Sequence, residues 1–208
     1  MSTPDSVCAN WTDVGIMKLD AHGWLLPGAG IALVPSPNFD ARPQDADISL
    51  LVVHNISPPP GAFLNGYARD LFLNRLDTAA HPWFAKIIGL RVSAHFLIDR
   101  DGDIDQFVAC GQRAWHAGVS NFAGRERCND FSIGVELEGT DDVPFTDAQY
   151  ERLAELTGCL RARYPLRAVR GHNHVAPTRK TDPGPCFDWN RYARTAAWPS
   201  DALPDDVA

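Results

Sequence analysis

Cysteine is sparse in this 208-residue chain and nowhere closely spaced: Cys8, Cys110, Cys128, Cys159 and Cys186 are an odd set without a Cys-x-x-Cys pair. That argues against a disulfide framework or a thiolate zinc knuckle and fits thiols kept reduced in a cytoplasm. Nor does any apolar run approach the ~18 residues of a membrane span. The opening Met1-Ser2-Thr3-Pro4-Asp5 does not begin the basic-then-apolar pattern of a secretory leader. A cytoplasmic protein with no membrane partner is expected. Basic residues are outnumbered, 19 Lys and Arg against 26 Asp and Glu for a net charge of −7. This speaks against a nucleic-acid partner and leaves room for a local basic patch. There is no Gly-x-Ser-x-Gly elbow and no Gly-x-x-x-x-Gly-Lys phosphate loop, and no local feature marks Cys128 or Cys186 as an activated thiolate.

What is present suits one soluble domain, with 45% hydrophobic and 22% charged residues. Residues 1–20 show no periodicity and read as an N-terminal extension. Residues 200–208, with three aspartates, read as a flexible tail, which leaves 21–199 as the domain. The apolar, β-branched stretch 49–54 predicts a buried strand stopped by Asn55-Ile56-Ser57-Pro58-Pro59-Pro60-Gly61. Residues 66–76 have helical spacing and 78–90 read as irregular. Strands at 94–98 and 104–108 are joined by Asp99-Arg100-Asp101-Gly102, whose Asp-Gly pair suits a hairpin. The stretch 131–137 predicts a strand that sends Glu136 and Glu138 to one side, and Gly134 in its middle marks a bulge or a close backbone approach. Thr146-Asp147-Ala148-Gln149 forms a capping box for a helix over 146–163, with Tyr150, Leu153, Leu156 and Leu160 on one face and Pro165 ending it. A short strand at 168–170 and a last helix from about Asp188 to before Pro199 complete the pattern. The expected fold is α/β: a single domain with a mixed β-sheet flanked by helices.

Chemistry concentrates in the loop from Gly171 to Gly184, which holds His172, His174, Lys180 and Asp182 between glycine and proline breakers. With His54 at the end of the first strand it suggests a His2Asp zinc site with an open position. Each member has a plainer reading. A strand-end histidine is often only hydrogen-bonded, and Asp before Pro commonly caps a turn. In an extended loop His174 would point away from His172. Glu136 suits a general base, yet with Glu138 on its face it also suits a solvent-facing strand position. Lys180 could offset oxyanion charge or be one more exposed lysine. His95 reads as a satisfied core histidine, whereas His116, in Trp115-His116-Ala117-Gly118, stands as an alternative ligand or acid.

Several stretches together resemble one family. They are Val34-Pro35-Ser36-Pro37-Asn38-Phe39-Asp40, Leu51-Val52-Val53-His54-Asn55-Ile56-Ser57, Arg91-Val92-Ser93-Ala94-His95, Arg113-Ala114-Trp115-His116-Ala117-Gly118, the run from Gly124 to Thr140, and Arg179-Lys180-Thr181-Asp182-Pro183-Gly184. In this order they are similar to the AmpD family of 1,6-anhydro-N-acetylmuramyl-L-alanine amidases, over about Trp24 to Tyr192. The resemblance implies a monomeric, cytoplasmic zinc enzyme of the amidase type 2 and peptidoglycan-recognition fold. Its partner would be a muropeptide, cleaved between the lactyl group and L-alanine during peptidoglycan recycling. It also implies that His54, His172 and Asp182 bind zinc, that Glu136 is the catalytic acid/base, and that Lys180 stabilises the transition state. Asn55, Arg91, Trp115, Arg127 and Arg179 would line the substrate site, while His174 departs from the acidic residue usual there. Two alternatives are an amidase acting on polymeric peptidoglycan, as lysins do, and a non-catalytic muropeptide-binding module. Such modules typically lose a zinc ligand, and here all three positions are kept.

Overall fold

Two seven-residue apolar runs, each alternating in what it faces, make the centre of the molecule. The computed structural model describes residues 17–205 and 207. Its strands are β1 (Ile31–Leu33), β2 (Phe39–Ala41), β3 (Leu50–Ile56), β4 (Phe96–Ile98), β5 (Ile104–Gln106), β6 (Gln112–Ala114), β7 (Asn121–Phe122), β8 (Arg125–Glu126), β9 (Ser132–Glu138) and β10 (Ala168–Gly171). Six of them build the central sheet in the order β1-β5-β4-β9-β3-β10. The expected hairpin, β4 with β5, is its antiparallel pair; every other neighbour is parallel, so the sheet is mixed as anticipated.

β3 and β9 pair along their whole length, Leu50 opposite Ser132 through to Ile56 opposite Glu138. Period-two alternation then sorts their side chains. Leu51 and Val53, with Ile133, Val135 and Leu137, meet Leu153, Leu156 and Leu160 of α2 (Asp147–Arg163), while α1 (Tyr67–Phe72) sets Ala68, Leu71 and Phe72 in a second cluster with Leu97, Phe107 and Val108. Leu50 and Val52 belong to a third cluster, with Ala117, Cys128, Phe131 and Val175. At the C-terminal ends of the two strands that side turns polar, with His54 opposite Glu136.

The capping box that starts α2 is present: Thr146 Oγ1 accepts from the Gln149 amide and Gln149 Oε1 accepts from the Thr146 amide, both at 3.1 Å. Such a cap is worth about 1 kcal/mol. Buried Gln149 also donates through Nε2 to the carbonyls of Ile98 and Glu138, which fastens the start of the helix to the ends of β4 and β9. Two short elements follow: α3 (His172–Val175) directly after β10, and α4 (Trp189–Thr195), capped by the Asp188 carboxylate.

Three expectations change. The segment 78–90 is not wholly irregular: Pro82–Ile87 is a 3-10 helix, with proline at its start and the His81 ring accepting from the Trp83 amide. The C-terminal stretch is packed where its aspartates suggested a flexible tail: Ser200–Ala202 is a 3-10 turn, Ala202 and Leu203 are buried in the main core, and Arg170 donates to the Ala202 carbonyl at 2.7 Å. Of the expected N-terminal extension, residues 1–16 lie outside the described residues. Met17 and Leu19 pack against the core, and Leu19 bridges Leu25. Among the described residues no helix is long and apolar enough to cross a membrane.

Candidate metal centre

Parallel pairing brings the site together. β3 ends in His54, and its neighbour β10 ends in Gly171 immediately before His172. The loop beyond α3 then returns, because the Asn173 amide donates to the Asp182 carbonyl at 2.9 Å. His54 Nδ1, His172 Nδ1 and Asp182 Oδ2 consequently meet in a near-equilateral triangle, 3.0 Å, 3.0 Å and 3.1 Å on its sides. Ligands held ~2.0–2.1 Å from a tetrahedral zinc stand about 3.3 Å apart, so the triangle is close to the size the ion requires. The donor types, two imidazoles and one carboxylate, fit as well, and no other group of three or more such donors is gathered among the described residues.

Burial shapes the electrostatics of the three residues. His54 is 1% exposed and His172 3%. The His54 imidazolium is disfavoured first by burial and then by its neighbour His172, which lowers its pKa to about 4. Burial alone would raise Asp182, but the two imidazoles against it hold its carboxyl below the usual range. His172 Nε2 lies 3.1 Å from the Ala117 carbonyl, which can only accept. The proton of His172 is therefore on Nε2, and the Nδ1 lone pair faces the triangle.

Glu136 lies across from His54 in register and is 8% exposed. Its Oε2 is buried with no hydrogen-bond partner among the described residues. Burial first, and then the Asp182 charge, push its pKa well above the ordinary carboxylate value, against the pull of Lys180. Glu138, two residues on and on the same face, does a different job. Its carboxylate accepts from the Leu64 amide at 2.7 Å and the Arg100 amide at 3.3 Å, which ties two loops to the sheet. The plain reading of this pair, solvent-facing strand positions, is thereby corrected for both.

A cavity of about 520 Å³ opens over Glu136, His172 and Asp182, and Trp83, Trp115 and Lys180 are part of its lining. Asn55 and Arg179 also line it, both already engaged. The Asn55 amide donates to Asp141 Oδ1 at 2.7 Å and the Pro183 carbonyl at 3.0 Å. Arg179 Nη2 donates to the carbonyls of Ala117 at 2.7 Å and Val119 at 2.9 Å. Arg91 and Arg127 are not in the lining. Arg91 is exposed, and Arg127, 67% exposed, pairs with Asp130 at 2.8 Å.

The remaining histidines resolve. His174 is no ligand, though for a different reason than an extended loop would give. It sits in the helical turn of α3, its Nδ1 accepts from the Gly171 amide at 2.8 Å, and its ring lies against Trp189. His95 is a satisfied core residue, its Nδ1 accepting from the Gly134 amide at 3.0 Å. His116 has Nδ1 2.9 Å from His54 Nε2 and Nε2 3.2 Å from Ser132 Oγ, so both its nitrogens are occupied. Its ring lies over Gly134, where a Cβ would stand only 2.6 Å from Nδ1, which makes that glycine a close approach and not a bulge. Sequence reasoning missed Arg42 altogether. Its half-buried guanidinium donates to the carbonyls of Cys110, Asn129, Asp130 and Ser132, and desolvation lowers its pKa to about 10.

Comparison with known proteins agrees with this geometry. Residues 44–185 match the model of the N-acetylmuramoyl-L-alanine amidase family. The 1,6-anhydro-N-acetylmuramyl-L-alanine amidase AmpD of Citrobacter freundii is 58% identical over 178 residues, which is 85% of this chain and 93% of that protein. A crystal structure of AmpD in its selenomethionine form superposes with a TM-score of 0.81 at 56% identity, covering 86% of this chain and 99% of the other. AmiD from Escherichia coli, solved with the substrate anhydro-N-acetylmuramic acid-L-Ala-D-γ-Glu-L-Lys, gives a TM-score of 0.52 at 28% identity over 86% of this chain and 65% of its own. With the matched domain, the identity over most of its length and the superposition in agreement, this chain belongs to the AmpD family of N-acetylmuramoyl-L-alanine amidases.

Proposed function

We propose that the protein is a zinc-dependent amidase that cleaves the bond between the lactyl group and L-alanine of 1,6-anhydro-N-acetylmuramyl peptides, releasing the stem peptide in cytoplasmic peptidoglycan recycling. The observation that carries the reading is the triangle of His54 Nδ1, His172 Nδ1 and Asp182 Oδ2, three acceptor-capable atoms at 3.0–3.1 Å with an unpartnered carboxyl beside them. The AmpD relatives share its sequence over most of its length, and AmiD has been solved with an anhydromuramyl peptide. The described cysteines, Cys110, Cys128, Cys159 and Cys186, are all free, which suits a reducing compartment.

His54, His172 and Asp182 would hold zinc, which when bound would supply Lewis acidity to the amide carbonyl and lower the pKa of water. Glu136 takes the proton of the attacking water and hands it to the departing amine, and the burial that raises its pKa favours the protonated form it holds between the two transfers. Lys180 offsets the negative charge that develops on the carbonyl oxygen. Trp115 offers an apolar face to the sugar ring, and Asn55 and Arg179 reach the cavity to meet the peptide.

Mass spectrometry of the products of an anhydromuramyl tripeptide tests this. The expected result is free tripeptide and anhydromuramic acid with native protein, loss of turnover after dialysis against a chelator, and its return with zinc. Undiminished turnover by metal-free protein would overturn the metal reading, and preferential release from polymeric peptidoglycan would overturn the substrate.

A further inference from the structure

We infer that His116 and Ser132 form a one-way hydrogen-bond relay that locks the His54 imidazole in its Nε2–H form, with the Nδ1 lone pair turned toward His172 and Asp182 before any metal binds. This positioning role rests on the metal-site reading above.

The direction of the relay follows from its far end. Ser132 Oγ lies 2.6 Å from the Cys128 carbonyl, an acceptor only, so the hydroxyl proton must point there. Oγ then has only lone pairs for His116 Nε2 at 3.2 Å, and that nitrogen must carry the His116 proton. His116 is buried and its Nδ1, 2.9 Å from His54 Nε2, is left to accept. His54 therefore donates through Nε2, and its other nitrogen is the one in the triangle. The reverse arrangement, with His54 Nδ1 donating to Asp182 Oδ2 at 3.0 Å, would turn the Ser132 hydroxyl to His116 and leave two oxygens 2.6 Å apart with no proton between them.

The ring is seated to hold this pose. The amides of His116 and Ala117 both donate to Asn129 Oδ1, at 3.2 Å and 2.8 Å, which fixes the backbone that carries it. The ring lies directly against β9, where only a glycine at 134 leaves room. It also stands edge-on to His54, with centroids 5.0 Å apart. His172 has its own outward acceptor in the Ala117 carbonyl, one residue along the same segment. One short stretch, His116-Ala117, thus orients both imidazoles. Outward partners of metal-bound histidines commonly set ligand basicity and tautomer, and their loss typically weakens metal binding 10–100-fold.

The test combines nitrogen-15 NMR of the imidazoles in metal-free protein with zinc affinity measured by competition with a chromophoric chelator. In the native chain His54 is expected as the Nε2–H tautomer. His116→Phe keeps a ring over Gly134 but removes the acceptor. It should give His54 a mixture of tautomers and weaken zinc binding by about 10–100-fold. His116→Asn, which returns an acceptor near the Nδ1 position, should recover a large part of that loss, and Ser132→Ala should have a smaller effect in the same direction. A purely structural His116 would lower the melting temperature of its variants and leave both readouts unchanged in the folded protein. The inference is overturned if native His54 carries its proton on Nδ1, or if His116→Phe and His116→Asn both bind zinc as tightly as the native chain. Should the native protein show the stated tautomer but bind no zinc, the metal reading fails while the relay stands.

Discussion

Replacing Gly134 with alanine should destabilise the protein, against the usual sense of that change. In a strand interior, alanine normally gains about 0.5–1 kcal/mol over glycine through the unfolded chain's entropy. Gly134 has no left-handed backbone that would forbid a side chain. The new methyl would, however, sit 2.6 Å from His116 Nδ1 and 2.7 Å from Cδ2, about 0.7 Å or more inside ordinary contact. The ring has little freedom to yield, being bonded to His54 at 2.9 Å and Ser132 at 3.2 Å. Overpacking of this kind costs about 1–3 kcal/mol. Pulling the ring away leaves a buried donor unsatisfied for about 1–3 kcal/mol more. The net loss is therefore about 1–5 kcal/mol, and at ~2–4 °C per kcal/mol for a chain of this size the melting temperature should fall by about 2–20 °C. Differential scanning calorimetry of the metal-free variant checks this, since no zinc contribution then enters. A Gly134→Ala protein as stable as the native one, or more so, would refute the seating of His116 on this strand.

Glu136→Gln preserves shape and removes the proton carrier, so kcat should drop by about 10²–10⁴ while bound zinc stays stoichiometric; full turnover in a zinc-loaded variant would remove Glu136 from the mechanism. Stability of the metal-free protein should fall as pH drops from 7.5 to 5. His54, His95 and His116 all have folded pKa values below that of a free imidazole, chiefly from burial. A depressed imidazole contributes stability above its unfolded pKa that is lost as pH falls toward its folded value, at up to ~1.4 kcal/mol per pH unit for each unbalanced proton. Glu136, Glu138 and Asp99, raised chiefly by burial, act in the opposite sense, but of these only Glu136 is pushed well above its ordinary value. Urea midpoints at pH 7.5, 6 and 5 measure the slope, and a midpoint that does not move, or that rises toward pH 5, contradicts it.

Local rules made much of the fold legible. The apolar, β-branched run at 49–54, the β-rich run at 131–137, the Asp-Gly turn at 101–102 and the capping box at Thr146 are each written in a few adjacent residues, and the structure has a strand pair, a hairpin and a helix there. The triangle was only half legible. Spacing marked His54 and the His172 loop, but choosing Asp182 over a turn cap, and Glu136 over a surface carboxylate, rested on resemblance to a family. His116 was singled out as a candidate ligand or acid, but its bond to His54 escaped because it joins residues 62 apart, and no periodicity reports where two such segments cross. Arg42 escaped for the same reason, reaching carbonyls 68 to 90 residues away. The tail misled because its aspartates dominate the composition, whereas Ala202 and Leu203 decide where it lies.

Because β9 presents Glu136 and Glu138 on one side and Ile133, Val135 and Leu137 on the other, its pairing with β3 checks itself. A slip of one residue would drive both acids into the hydrocarbon under α2 and turn three aliphatic groups out over the cavity, a state too costly to persist. The strand therefore has no near-miss arrangement in which the protein stands folded but half-equipped: a molecule that has closed its core has, in the same event, set Glu136 opposite His54 and moored the loop at Leu64 through Glu138.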